Sequence, residues 1–154
     1  MYTKEEVSKQ KQAFWTAFGK YMKPVLSADG NIISWSNYKT GIPGMFFRID
    51  ADNKTASVAI AITQADMDLH RRLYEQLTVQ RSVLEEILGE DDWSWQSETT
   101  DDYGKTISTI SKRIAGVSVM NEADWPAIIS FFKPRMMALD EFWSMAKYGF
   151  EALL

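Results

Sequence analysis

The last thirty residues constrain this chain more than any other stretch. Trp125, Ile128, Phe132, Met136, Leu139, Trp143, Ala146 and Phe150 recur at steps of three or four, the spacing that puts side chains on one face of an α-helix. Asn121 supplies a capping side chain ahead of them. Phe131, Met137, Phe142 and Met145 widen the apolar face beyond one stripe. Such a helix needs cover on more than one side. It is expected to lie on a sheet and to form a homodimer with its remaining surface, because large exposed apolar patches are unusual. Pro134 removes the partner of the Ser130 carbonyl and predicts a kink.

The rest of the chain supplies the sheet. Thr3 and Glu6 form a capping box, and a helix follows to about Met22, ended by Pro24. Short strands are expected at Ile32–Ser36, Met45–Asp50 and Ala56–Thr63, the last two joined by a turn at Asp52-Asn53-Lys54. One helix is expected from about Asp66 to Leu88, closed by Gly89. Strands then follow near Trp93–Trp95 and from Thr106 to Ile114. The predicted order is α-β-β-β-α-β-β-α: an α+β, two-layer domain over residues 1–154 with a mainly antiparallel five-stranded sheet and three main helices.

Composition narrows the chemistry. The 154 residues include no Cys and one His, which excludes disulfides, thiolate metal sites and a cysteine nucleophile. No cofactor or metal is expected. The opening segment Met1–Glu6 has no hydrophobic signal core and no apolar run reaches a membrane span, so the expected address is the cytoplasm, off the membrane. Residues 1–48 carry a net +4, residues 49–104 a net −9 and residues 105–154 a net +1. That acidic balance argues against nucleic acid and favours basic partners.

Motifs that resemble catalytic sites fail in detail. Asp50-Ala51-Asp52-Asn53 begins like a calcium loop but has Thr55 where Gly is required and Ala61 where the bidentate Glu belongs. Tyr38–Gly44 lacks the Gly spacing of a phosphate-binding loop. His70-Arg71-Arg72 reads as a charged helix surface, so a Ser-His-acid triad through His70 is not expected. Glu85-Glu86 and Glu90-Asp91-Asp92 read as solvated acids, not a raised-pKa pair. No catalytic residue is identified.

The aromatic residues are the excess: 6 Trp, 6 Tyr and 8 Phe. Trp35, Tyr38, Trp93, Trp95 and Tyr103 fall beside turns or on short strands, and Trp and Tyr are enriched at interfaces. The expected function is therefore a non-enzymatic module that binds a protein or peptide. Its candidate surface is the Asn37–Gly44 loop and the first strands, with Trp35, Tyr38, Lys39 and Arg48 as binding residues. Gly41 and Gly44 would admit close backbone approach there. The alternative is an accessory domain in nucleic-acid processing, of restriction or repair type and without its own catalytic site, using Lys39, Arg48, Lys112 and Arg113.

Four segments carry a resemblance: Phe14–Gly19, Asn37–Ile42, Phe47–Asp52, and Ile129–Arg135 with Leu139–Trp143. Through them the chain resembles a bacterial family of unknown function, with small stand-alone members common in Bacteroidetes. Related domains stand at the C-terminal end of nuclease-like proteins. The resemblance spans nearly the whole chain and implies no activity or catalytic residue. The element order is also similar to the secretion-chaperone-like fold, α-β3-α-β2-α, whose small acidic dimeric members bind peptides; fold alone does not fix function.

Overall fold

A computed structural model describes residues 2–154. Helix α1 (Lys4–Met22) starts at the expected Thr3 cap: the Thr3 hydroxyl accepts from the Glu6 N–H at 3.1 Å. Phe14, Phe18 and Met22 are its buried residues. Strands β1 (Met45–Ala51) and β2 (Thr55–Ile62) form a hairpin. Its turn is set by Asp52, whose Oδ1 accepts from the Lys54 and Thr55 N–H groups at 2.8 and 2.7 Å, an Asx turn. The backbone N–H of Lys54 is the main reason the Asp52 carboxyl lies below its usual range.

Helices α2 (Met67–Val79) and α3 (Arg81–Leu88) replace the single helix expected over Asp66–Leu88. The Leu69, Leu73, Leu77 and Leu84 stripe runs through the break, so periodicity does not reveal it. The helix is interrupted at Gln80, whose φ of −91° and ψ of 6° leave the helical range; α2 lies against β2 and α4, while α3 packs along α4. Gly89 closes α3 with φ 69°. Strands β3 (Ser94–Thr100) and β4 (Thr106–Ala115) complete an antiparallel sheet of order β1-β2-β4-β3. A 3₁₀ turn at Glu122–Asp124 leads into α4 (Trp125–Glu151), a continuous 27-residue helix that carries Pro134.

Among the described residues the sheet therefore has four strands and not five, and four α-helices replace three, in the order α-β-β-α-α-β-β-α. The strand expected at Ile32–Ser36 does not form. The segment is instead flanked on both sides by side-chain-capped turns: the Asn31 N–H donates to Ser27 Oγ at 3.0 Å and the Asn37 N–H to Ser34 Oγ at 3.2 Å. Such local bonds oppose strand pairing. The order α-β3-α-β2-α of the secretion-chaperone-like fold is accordingly not reproduced.

One row across the sheet, Phe47–Ile60–Ile110–Trp95, faces the helices. The next, Arg48–Ala59–Ser111–Ser94, faces away, as strand alternation demands. Helix α4 buries Phe131, Phe132, Phe142 and Trp143 within its own chain, leaving Met137, Met145 and Tyr148 exposed. Among the described residues no helix is long and apolar enough to cross a membrane.

Candidate functional site

The segment Ser27–Gly41 is irregular, yet α4 holds it at several points. Asp140 is the one charged residue buried in α4, with 6% exposure. Its Oδ2 accepts from the Ala28 N–H at 2.6 Å and its Oδ1 from the Tyr38 hydroxyl at 2.5 Å. One helical turn on, the Trp143 indole N–H donates to the Thr40 carbonyl at 2.9 Å. The Tyr38 ring stacks on Phe47, centroids 5.0 Å apart, and Phe47 meets the Trp143 ring edge-on at 5.6 Å. Burial, and then the adjacent Asp140 carboxylate, push the Tyr38 phenol well above its ordinary range, so it stays a donor.

Between this loop and the C-terminal part of α4 lies a cleft of about 490 Å³, a size typical of ligand sites. Lys39, Lys147, Asp29 and Glu151 supply charge along its lining, and Asn31 and Ser144 supply neutral hydrogen-bonding groups. Lys147 and Asp29 approach to 3.9 Å. Ile32 on the same lining is 79% exposed.

The expected site residues divide. Tyr38 and Lys39 both line the cleft. Trp35 lies beneath it in the core, 3% exposed, with its indole N–H on the Val25 carbonyl at 3.0 Å. Arg48 is on the far face of the sheet, its guanidinium 4.7 Å from the Phe46 ring centre. Asp140, Ser144 and Lys147 escaped sequence reasoning. The available signal was Asp140 itself, an acid set directly between positions of an apolar stripe.

The cations proposed for nucleic acid are scattered. Arg113 shares the exposed sheet face with Arg48, whereas Lys112 donates to Glu90 and, at 3.0 Å, to Asp92. Glu90, expected as a solvated acid, is the centre of an ion cluster: Arg135 reaches its two oxygens at 3.1 and 2.8 Å, and the Trp93 indole donates at 3.2 Å. Partial burial alone would raise the Glu90 carboxyl, but bonds from Arg135, Lys112 and Trp93 outweigh it and hold it at about 2.

His70 also departs from expectation. It is fully buried, not on the surface. Nδ1 lies 3.0 Å from the Gln64 carbonyl and Nε2 lies 2.7 Å from Ser108 Oγ. No group of three or more His, Cys, Asp or Glu side chains is placed to hold a metal among the described residues.

No curated protein and no solved structure matches this chain. Residues 10–147 match the family described as Domain of unknown function (DUF4268), and the chain belongs to that family.

Proposed function

We propose that the protein is an interaction module that binds an extended peptide, without chemistry on it, in the cleft between the Ser27–Gly41 loop and α4. The observation that carries this reading is a cleft of about 490 Å³ lined by both cations and anions and by amide and hydroxyl groups. A peptide backbone offers donors and acceptors in alternation, which suits such a lining, and exposed Ile32 offers an apolar contact at its edge. Lys39 and Lys147 would orient an acidic group of the peptide. Trp35 would hold the loop in shape from the core, and Tyr38 would do so while forming part of the cleft wall.

The test is selection of displayed random twelve-residue peptides on the immobilised chain. Enriched peptides should bind the wild-type chain and lose at least tenfold in affinity against Lys39→Glu/Lys147→Glu, with thermal unfolding of the variant shifted little. No enrichment, or binding indifferent to both charge reversals, refutes the reading. The proposed homodimer would use what α4 leaves uncovered, the strip of Met137, Met145 and Tyr148.

A further inference from the structure

Ser108 on β4 and His70 on α2 are 38 residues apart in the chain and 2.7 Å apart in the fold. The hydrogen positions follow from chemistry. The Gln64 carbonyl can only accept, so His70 Nδ1 carries the proton. Nε2 of the neutral ring must then accept, and the Ser108 hydroxyl donates to it. A serine O–H on Nε2, with the opposite nitrogen fixed by an acceptor, is the arrangement that activates a serine. Here a main-chain carbonyl stands where a carboxylate often does.

Three further features meet at the same point. The β3–β4 register shifts between Gln96 and Thr99, a bulge of the kind that re-aims groups next to active sites. Glu98 inside that bulge has φ 52°, the one positive φ outside glycine among the described residues; such backbone strain clusters at functional sites. Its N–H is turned onto Ser108 Oγ at 2.9 Å, which favours negative charge on that oxygen. His70 is fully buried and Ser108 is 1% exposed, and both border a crevice of about 280 Å³, lined also by Tyr74, Thr78 and Ser97. Arg71 and Glu98 form an exposed ion pair on its lining.

We propose that Ser108 is a nucleophile toward small acyl esters, with His70 as its general base. This site shares no lining residue with the loop–α4 cleft and does not depend on the peptide reading. In the first step Ser108 Oγ bonds to the acyl carbon and its proton passes to His70 Nε2. The bond from that carbon to the leaving oxygen breaks, and the departing alcohol takes the proton from Nε2. Water then attacks the acyl-serine, giving a proton to Nε2. That proton returns to Ser108 Oγ as the carboxylic acid leaves. The crevice has room for a short acyl group.

The experiment treats the full chain with diisopropyl fluorophosphate and, separately, with p-nitrophenyl acetate. Expected is one diisopropylphosphoryl adduct per chain, formed with loss of fluoride, mapped to Ser108 in the native protein and absent when the chain is treated in urea. Ser108→Ala should lower p-nitrophenyl acetate turnover by ~100-fold or more, the scale of lost acid–base and nucleophilic assistance. His70→Gln, where circular dichroism shows it folded, should also abolish the adduct. A native chain without an adduct at Ser108 overturns the proposal and leaves the pair as a packing tie between α2 and β4. So does turnover unchanged by Ser108→Ala, or full labelling of folded His70→Gln.

Discussion

Tyr38→Phe removes one oxygen and leaves the ring stacked on Phe47. The lost bond runs to a carboxylate with 6% exposure, whose other oxygen keeps only the Ala28 N–H. Hydrogen bonds to charged groups contribute about 1.5–3 kcal/mol, and the orphaned Oδ1 places this change toward the upper half. For a chain of this length that corresponds to roughly 4–10 °C in Tm. Because the phenol is pushed above its ordinary 10.0, the contribution is present in full below that pH and fades only as pH climbs beyond it. The assay is urea unfolding followed by tryptophan fluorescence at pH 7. It is repeated in an Asp140→Asn background, where the cost should shrink measurably. A loss under about 0.5 kcal/mol, or the same loss in both backgrounds, would refute the view that Tyr38 holds the loop. Tyr38→Ala would remove the stacked ring as well, so it cannot serve as a clean probe of ligand contact.

Glu90→Gln should flatten the acid limb of the stability curve. The carboxyl is held at about 2 against an ordinary 4.5, so its contribution is present above about pH 4.5 and lost as pH falls toward 2. The lowering is equivalent to roughly 3 kcal/mol, and we take about 2 after allowing for solvent screening of a side chain 19% exposed; parallel acid limbs in thermal scans would contradict it. Gly44→Ala should cost about 2–4 kcal/mol, since a Cβ at φ 77° would lie 2.7 Å from the Gln64 Cα; an unchanged urea midpoint would contradict the clash. Light scattering at tens of micromolar should give twice the 17.7 kDa chain mass, falling toward one copy in Met145→Glu/Tyr148→Glu; a single-chain mass for the wild type refutes the dimer. Single-stranded DNA at 50 mM salt should not bind measurably, because Lys112 is engaged by Glu90 and Asp92; tight binding with a steep salt slope would revive the nucleic-acid reading.

What the sequence showed and what it hid divides along the range of the forces involved. The Thr3 cap, the Asp52 turn, the Gly89 stop and the Val58-Ile60-Ile62 alternation are each written within a few residues, and each formed where expected. The absent strand at Ile32–Ser36 shows the opposite case. It is apolar enough for a strand, but Ser27 and Ser34 hold the flanking Asn31 and Asn37 N–H groups in turns, and Trp35 finds burial without a ladder. The interruption at Gln80 leaves the leucine stripe intact, so no local pattern records it. In the candidate site the Asn37–Gly44 loop was legible through its Gly, Pro and aromatic content. Its partners Asp140 and Lys147 were not, and neither was the meeting of His70 with Ser108, because pairing across the fold leaves no trace in spacing.

The tethers of the Ser27–Gly41 loop span 112, 102 and 103 residues of sequence, from Ala28 and Tyr38 to Asp140 and from Thr40 to Trp143. Closing loops of that length is slow and entropically costly, and such contacts form late in folding. On the ribosome the tethered residues of the loop leave the exit tunnel more than a hundred residues ahead of Asp140 and Trp143, which shape it. Until α4 is made and docked, the cleft does not exist. Under the proposed peptide reading, recognition through this surface would be confined to the finished chain, and a nascent or C-terminally clipped copy would be silent toward the same ligand.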